Sequence, residues 1–337
     1  MNILKQKWNF LNNTKTHVPL QISKLYQFGL QVLTARSIVS LRSNARLLPL
    51  NWNTAKSKVY RLVSNTRIPL VFLNILQSLS LVHEKDIVAV DFSDFGNGFQ
   101  VLMFAKQTKR GRAIPLYFEI LRYPIQKGSQ NLFIIKTIKN FKNIIGFKPK
   151  LVFDRGFACP YIVKYLAQNK YIFIIRIKKA KSYSDLHSKE ILLAKNSLKK
   201  DLMIYMYWSR LRLIISDKVS HDDPWYLITN DFTSSRKKII EIYYHRFEIE
   251  EFFRDAKRLL NLEHVRFEKE LSLKTSLWFA ILGIWFFSTL DQKMDENDER
   301  SRKVMRLSSV RYFFEKLYQE YYLLSEGEFL ALKTSSE

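Results

Sequence analysis

The sequence contains little cysteine and no closely spaced histidines of the kind that bind metals. Cys159 is the only cysteine among the 337 residues, which excludes an internal disulfide framework and any zinc site built from several thiolates. The six histidines show no H-E-x-x-H pattern, so nothing predicts zinc chemistry. A single cysteine is also typical of a protein from a reducing compartment.

Acidic residues are absent from the first 83 positions. Glu84 is the first acid in the chain, and eleven Lys and Arg residues precede it. The whole chain has 55 Lys and Arg residues, 31 Asp and Glu residues, and a formal charge of +24. This excess predicts a polyanionic partner, either nucleic acid or an acidic membrane surface. Nucleic acid is the interpretation we favour, with a solvated basic surface as the alternative.

Long hydrophobic runs are also missing. The most apolar stretch, Leu277 to Leu290, is shorter than the ~20 residues that cross a bilayer, so it predicts a buried helix. The first ten residues lack the apolar stretch of a signal peptide. We therefore expect no membrane association. At 47% hydrophobic residues the chain is also too apolar to be a disordered basic tail.

The acid-free region is mostly helical by its apolar spacing. Ser37 to Val63 reads as a helix, a short turn and a second helix, which Asn53 or Thr54 could cap. This pattern is similar to a helix-turn-helix, although many helical pairs share it. The residues of the second helix that we expect to contact DNA are Lys56, Lys58 and Arg61.

From residue 87 the pattern changes to that of an α/β fold. Apolar runs and helical segments follow in the order β-β-β-α-β-α-β up to residue 177, which predicts a mixed sheet flanked by helices. Further strands are expected between residues 203 and 229, and helix from residue 234 onward. The connection between the second and third strands is basic and supplies three more candidate DNA contacts, Lys109, Arg110 and Arg112.

Two acids are predicted at strand ends. Asp91 ends one apolar run and Asp154 ends another, and two carboxylates that converge there would repel unless a divalent cation neutralised them. Either one could instead be a turn residue or a helix cap. Asp94, three residues after Asp91, competes with it for the same role.

One long helix is predicted from Ser235 to Leu260. At about 100° per residue, one stripe roughly 60° wide holds Tyr243, Arg246, Glu250 and Lys257. The far side of the same helix holds Glu241, Glu248, Glu251 and Asp255. An ordinary amphipathic helix with an Arg246–Glu250 ion pair fits the same spacing, so periodicity alone leaves both interpretations open.

The spacing Tyr243-x2-Arg246-x3-Glu250-x6-Lys257 resembles the YREK signature of bacterial insertion-sequence transposases of the DDE type. VFDRGF, at residues 152–157, is similar to that family's second Asp block. VAVDFSDF, at residues 88–95, is similar to the first block, and WYLITND, at residues 225–231, is similar to the strand before the Glu helix. The resemblance extends from about residue 85 to 270.

The resemblance implies a ribonuclease-H-like core in which Asp91, Asp154 and Glu250 are catalytic and hold two Mg²⁺ ions, with Mn²⁺ as a substitute. Two-metal sites hold their ions ~3.5–4 Å apart. The resemblance also implies that Tyr243, Arg246 and Lys257 contact DNA phosphates. An aromatic residue of the β-rich insertion is expected to hold a flipped base, with Trp225 as the candidate and Trp208 as the runner-up.

The expected domains are a helical DNA-binding domain at 1–82, a catalytic domain at 83–300 and a helical segment at 301–337. The β-rich insertion covers about 178–233. The implied function is cut-and-paste transposition, in which a homodimer binds double-stranded transposon ends and target DNA in the bacterial cytoplasm, associated with the nucleoid. The alternatives are a decayed or repurposed DNA-binding protein and a structure-specific nuclease on the same core.

Overall fold

The structure is a computed structural model. It describes residues 18–34, 50–109, 111–178, 182–184, 190–192, 201–216, 224–258 and 268–291. These residues divide into two compact units, one drawn from 1–81, 95–97 and 253–337, the other from 82–94 and 98–252. Among the described residues, no helix combines the length and the apolarity that a bilayer span requires.

The described strands all belong to one sheet. They are β1 Ile87–Asp94, β2 Phe99–Lys106, β3 Ile114–Arg122, β4 Lys150–Phe153, β5 Phe173–Ile177, β6 Ser182–Ser184, β7 Glu190–Leu192, β8 Asp201–Met206, β9 Ser209–Ile215 and β10 Tyr226–Thr229. Their order across the sheet is β3-β2-β1-β4-β5-β10-β9-β8-β6-β7. β4 runs parallel to both β1 and β5, whereas the other pairs are antiparallel.

Helices alternate with and follow these strands in the chain order that the sequence predicts. The described helices are α1 Leu20–Thr34, α2 Trp52–Val63, α3 Ile68–Leu79, α4 Ser129–Ile145, α5 Pro160–Gln168, α6 Arg236–Tyr244, α7 Glu248–Arg258 and α8 Glu270–Asp291. The predicted mixed α/β sheet with flanking helices is therefore confirmed.

The centre of the sheet is buried because its strands are apolar in nearly continuous runs. In β1, Val88 to Val90 are fully buried. One core cluster packs α6 against the sheet and includes Val152, Leu227 and Ile239. α4 packs through Phe141, whose ring centroid lies 4.6 Å from that of Phe104 in β2.

The other unit has an aromatic helical core. Phe72 of α3 stacks on Trp278 of α8 with ring centroids 5.6 Å apart, and its ring also meets Tyr26 of α1 at 6.0 Å. Leu277 to Leu282 are buried, as expected for this part of the apolar run. The Asn51 side chain caps α2 by accepting from the Asn53 amide, so Asn51 takes the place that we assigned to Asn53 or Thr54. The first helix of the predicted helix-turn-helix lies outside the described residues.

The long helix predicted from Ser235 to Leu260 is interrupted. α6 ends at Tyr244, a 3₁₀ turn covers His245–Phe247, and α7 begins at Glu248. A 3₁₀ turn has 3.0 residues per turn instead of 3.6, so side chains on its two sides do not follow a single 100° count. Tyr243, Arg246 and Glu250 nevertheless lie together, as the stripe predicts, whereas the far-side placement of Glu248 was wrong.

Candidate active site

Asp91 and Asp154 project from neighbouring parallel strands. Val90 in β1 pairs with Phe153 in β4, so the residue after each partner is one of the two acids. β4 ends at Phe153, as predicted, and Asp154 precedes a short 3₁₀ turn. β1 continues to Asp94, so our expectation that Asp91 ends its strand was wrong.

The structure groups Asp91, and not Asp94, with the other acids. The Asp91 carboxylate accepts a hydrogen bond of 2.8 Å from the Phe92 amide and one of 3.0 Å from Arg246. Asp94 is exposed. The pairing of β1 with β4 favours Asp91 over Asp94 as the first acid of the site, because it places Asp91 beside Asp154.

Arg246 links the acid on β1 to the acid on α7. Its Nη1 lies 3.0 Å from Asp91 Oδ2, and its Nη2 lies 2.6 Å from Glu250 Oε1. The Arg246 side chain is 3% exposed, whereas that of Glu250 is 49% exposed. The Nε atom of Arg246 is buried and has no hydrogen-bond partner. The guanidinium therefore lies between two of the proposed catalytic carboxylates instead of facing solvent.

The electrostatics of this group depend on burial and on mutual repulsion of the acids. Burial raises the pKa of Asp91 to about 6 against the opposing effect of Arg246, and the charges of Asp154 and Glu250 raise it further. Burial alone would lower the pKa of Arg246, but Tyr243 and the surrounding carboxylates raise it. Arg246 is thus a fixed positive charge within an acidic group.

Tyr243 completes the group from the last turn of α6. It is fully buried, and its hydroxyl donates to Asp154 Oδ1 over 3.5 Å. Burial raises the pKa of Tyr243 to about 12 against the lowering effect of Arg246, with Asp154 raising it further. The phenol therefore stays protonated and acts as a hydrogen-bond donor to Asp154.

The two candidate tryptophans occupy different environments. Trp225 is 3% exposed and packs on Tyr243 with ring centroids 5.1 Å apart, so a flipped base could not reach it in this conformation. Trp208, at the β8–β9 turn, is 66% exposed, with Lys164 Nζ 5.3 Å from its ring centroid. The runner-up is thus the accessible residue of the two.

The donor set suits a hard divalent cation, although the described residues do not form a preassembled metal cluster. Nowhere in the described part of the chain do three or more His, Cys, Asp or Glu side chains take up an arrangement that could hold a metal ion. Asp91, Asp154 and Glu250 nevertheless supply the carboxylate oxygens that Mg²⁺ prefers. Their chemistry fits Mg²⁺, and in this arrangement the Arg246 guanidinium supplies the positive charge.

The basic residues between β2 and β3 lie close to acids on α6 and α7. Lys109 Nζ is 3.3 Å from Glu241 Oε1, and the Lys109 side chain is 54% exposed. Arg112 Nη1 is 3.0 Å from Glu251 Oε2. Arg110 lies outside the described residues.

The remaining predicted DNA contacts belong to the unit of α1–α3 and α8. Lys56 and Arg61 are exposed on α2, and Lys58 Nζ lies 5.6 Å from the centre of the Phe28 ring. Lys257, on α7, has its Nζ 5.6 Å from the centre of the Phe95 ring.

Sequence reasoning missed Glu248. It was placed on the far side of the predicted helix, but it is 4% exposed and accepts hydrogen bonds from the connection between β2 and β3. The 3₁₀ turn just before it explains the error, because helical periodicity does not hold across the turn. The only signal in the sequence was its position two residues before Glu250.

The match to a family model covers two of the three proposed catalytic acids. Residues 129–286 match the family model of the transposase DDE domain. This DDE match spans just under half of the chain and includes Asp154, Tyr243, Arg246, Glu250 and Lys257, whereas Asp91 precedes it. The match supports a DDE-type transposase.

Comparisons with other proteins add no argument about function. No curated protein matches the chain. Among solved structures, the chain is similar to Aa-Ago with externally bound siRNA at 12% identity and a TM-score of 0.27, covering 59% of this chain and 33% of that one. It is also similar to Marinitoga piezophila Argonaute in complex with 5′ OH guide RNA and target DNA, at 13% identity and a TM-score of 0.26. This match covers 75% of this chain and 36% of that one. The chain thus spans about a third of the length of these structures.

Proposed function

We propose that the protein is a transposase that binds the terminal inverted repeats of its insertion sequence and carries out Mg²⁺-dependent strand cleavage and strand transfer. The observation that carries this proposal is the convergence of Asp91, Asp154 and Glu250 on Arg246 and Tyr243. The match to a DDE domain over residues 129–286 supports it. The strand order β3-β2-β1-β4-β5, with its parallel centre, suits a ribonuclease-H-like core.

Asp91, Asp154 and Glu250 would hold the two Mg²⁺ ions. Bound there, the ions would supply activation of a water or 3′-hydroxyl and stabilisation of the leaving oxygen. Asp91 and Glu250 already share one cation, Arg246. A metal would therefore compete with the guanidinium for these carboxylates.

The other residues of the site would orient a catalytic carboxylate or neutralise DNA phosphates. Tyr243 donates to Asp154 and so fixes the direction of that carboxylate. If a metal displaced it from Asp91 or Glu250, the planar guanidinium of Arg246 would have the donors that suit a bidentate phosphate contact. Lys109, Arg112 and Lys257 are the further phosphate contacts that we propose.

The proposed substrate is double-stranded DNA, both the transposon ends and the target, bound by a homodimer. Lys56, Lys58 and Arg61 of α2 would contribute to end binding. Such a substrate would be met at the bacterial nucleoid.

The test is Mg²⁺-dependent nicking of DNA that carries the ends of the element, with wild type and Asp154→Asn. The proposal expects nicking by the wild type that is lost in the variant, with DNA affinity retained by both. Binding without nicking by the wild type would instead indicate a DNA-binding protein that has lost cleavage. Nicking of branched DNA without terminal repeats would indicate a structure-specific nuclease.

A further inference from the structure

The connection between β2 and β3, residues 107–113, carries three basic residues and is attached at both ends to the helices of the site. We call it the basic loop. Near its start, Gln107 Nε2 donates to the Ile242 carbonyl of α6 over 3.1 Å. At its end, the Ala113 amide donates to the Glu248 carbonyl over 3.2 Å. The loop is therefore hydrogen-bonded to the segment that carries Arg246 and Glu250.

The Glu248 carboxylate holds the middle of the basic loop. Glu248 Oε2 accepts from the Thr108 amide over 2.7 Å, while the Thr108 hydroxyl donates to the Arg112 carbonyl over 2.6 Å. Oε1 accepts from the Gly111 amide over 3.2 Å and contacts His245 Nδ1 at 3.0 Å. A buried carboxylate is costly unless its oxygens are hydrogen-bonded. Here both oxygens have partners, and the loop backbone supplies two of them.

The backbone of the basic loop is shaped for this contact. Lys109 has φ 61° and Gly111 has φ 87°, both in the left-handed region that L side chains rarely adopt. Backbone amides in turns with left-handed residues can point into a concavity that binds an anion, and here the Thr108 and Gly111 amides do so. The anion in this case is the side chain of Glu248. The left-handed residue Lys109 lies between the two amides that Glu248 binds.

Glu248 differs from the other acids near the loop in what it binds. Glu241 and Glu251 pair with the side chains of Lys109 and Arg112, and these pairs are partly exposed. Glu248 binds backbone amides and leaves the basic side chains to other partners. It therefore fixes the path of the loop without cancelling the loop's charge.

We propose that Glu248 is a positioning residue that couples the basic loop to the first turn of α7 and so to Glu250. The inference rests on the proposed function, in which the loop meets DNA phosphates and Glu250 serves the reaction. Phosphates held by Lys109 and Arg112 would be fixed relative to Glu250 through Glu248. Removal of this acid would release the loop while leaving its positive charge intact.

The test substitutes Glu248→Gln in the full-length protein. Glutamine has the same shape, but its NH₂ group would face one of the two loop amides, donor against donor. We expect trypsin to cleave the variant faster after Lys109, Arg110 or Arg112, and its affinity for a random-sequence DNA duplex to fall roughly tenfold. Glu248→Asp, which keeps an acceptor on both sides, should restore part of this affinity.

Glu251→Gln is the matched control, because it makes the same change on the same helix at an acid that pairs with a loop side chain. The control should keep the tryptic protection of the loop. Tryptic cleavage and duplex affinity in Glu248→Gln that equal those of the wild type would overturn the proposal, as would equal effects in both variants.

Hydrogen exchange in the wild type covers the case in which Glu248→Gln does not fold. The Thr108 and Gly111 amides should be protected, and exchange at the rate of an unstructured peptide would overturn the proposal. These readouts need no strand cleavage. A wild type that does not nick DNA would therefore defeat the proposed function and leave the Glu248 proposal to be decided by loop protection and duplex affinity.

Discussion

At the scale of single residues, Arg246 joins acids from two different elements of the site. It is buried, and it pairs with one carboxylate from the sheet and one from α7. Removing one member of a buried ion pair costs about 3–5 kcal/mol, because the remaining charge is left uncompensated. In the absence of another cation, Arg246 therefore compensates the negative charges of Asp91 and Glu250.

We predict that Arg246→Gln makes the protein less stable and its stability more dependent on divalent metal. The loss of the guanidinium leaves Asp91 and Glu250 without their shared cation, so Mg²⁺ or Mn²⁺ gains a stronger site. The measurement is the shift in the midpoint of thermal unfolding upon adding either metal. Arg67→Gln, on the exposed segment before α3, is the control. A metal-induced shift in Arg246→Gln no larger than in the wild type would contradict the prediction.

Asp231 gives a second prediction, which concerns stability and pH. It is 2% exposed, pairs with Lys150 at 2.5 Å and accepts from the Thr233 and Ser234 amides. Burial alone would raise the pKa of Asp231, but these hydrogen bonds, led by that from Lys150, lower it well below its ordinary value. Because the folded pKa is lowered, the stabilisation is present above about pH 4, the unfolded pKa, and declines as the pH falls below it.

The corresponding variant is Asp231→Asn. At pH 7 it should lower the free energy of unfolding by about 3 kcal/mol, as expected when one partner of a buried pair is lost. In urea unfolding, the difference from the wild type should shrink at pH 3. Glu241→Gln, at an exposed pair with Lys238, should cost less than about 1 kcal/mol. A pH-independent difference for Asp231→Asn would contradict the assigned ionisation.

At the scale of elements, the contact between α1 and α8 depends on a glycine. A Cβ added to Gly29 would lie 2.3 Å from Phe279 Cζ, and Phe279 is 1% exposed. We predict that Gly29→Ala destabilises this unit by about 1–3 kcal/mol, because overpacking forces buried rings to move. This cost exceeds the gain of about 1 kcal/mol in helix propensity.

Gly156→Ala is the control for this prediction, because a Cβ there meets nothing within 4 Å. Its effect on the free energy of unfolding should lie within about 0.5 kcal/mol. A Gly29→Ala protein as stable as the wild type would show that α1 and α8 do not approach as closely as described.

The strands were predictable from the sequence, whereas the geometry of the helices around Glu250 was not. Runs such as Ile87 to Val90 are apolar because a central strand is covered on both faces, and this signal is local. The 3₁₀ turn at His245–Phe247 breaks no apolar pattern, so periodicity predicted one helix through it. That single error placed Glu248 on the wrong face.

The candidate site shows the same division. The sequence blocks and the helical spacing predict Asp91, Asp154, Tyr243, Arg246 and Glu250 as site residues. The sequence could not reveal that Arg246 is buried and also pairs with Asp91, because Arg246 and Asp91 are 155 positions apart in the sequence. The burial of Trp225 depends in the same way on Tyr243, which comes from another element.

At the scale of the whole molecule, the positive charge makes a prediction about DNA binding. The formal charge of +24 should produce affinity that falls steeply with salt, with a log–log slope of about −0.9 for each phosphate contact. A joint Lys56→Gln and Arg61→Gln change on α2 should reduce the slope by about 1.8 if each residue meets one phosphate. Fluorescence anisotropy with a labelled duplex over a range of salt concentrations measures this. An unchanged slope would exclude these two residues from the DNA contact.

The central claim is that Asp91, Asp154 and Glu250 act together in metal-dependent strand cleavage. It is tested most directly by the single-turnover nicking rates of Asp91→Asn, Asp154→Asn and Glu250→Gln on DNA bearing the element's ends. The matched controls are Asp94→Asn, on the same strand as Asp91, and Glu251→Gln, beside Glu250. We predict that each of the first three variants loses roughly a thousandfold in rate, since metal stabilisation of the transition state amounts to several kcal/mol, while both controls cleave near the wild-type rate. Two results would contradict the account. One is an Asp94→Asn variant that is inactive while Asp91→Asn still cleaves, and the other is cleavage that persists in Asp154→Asn.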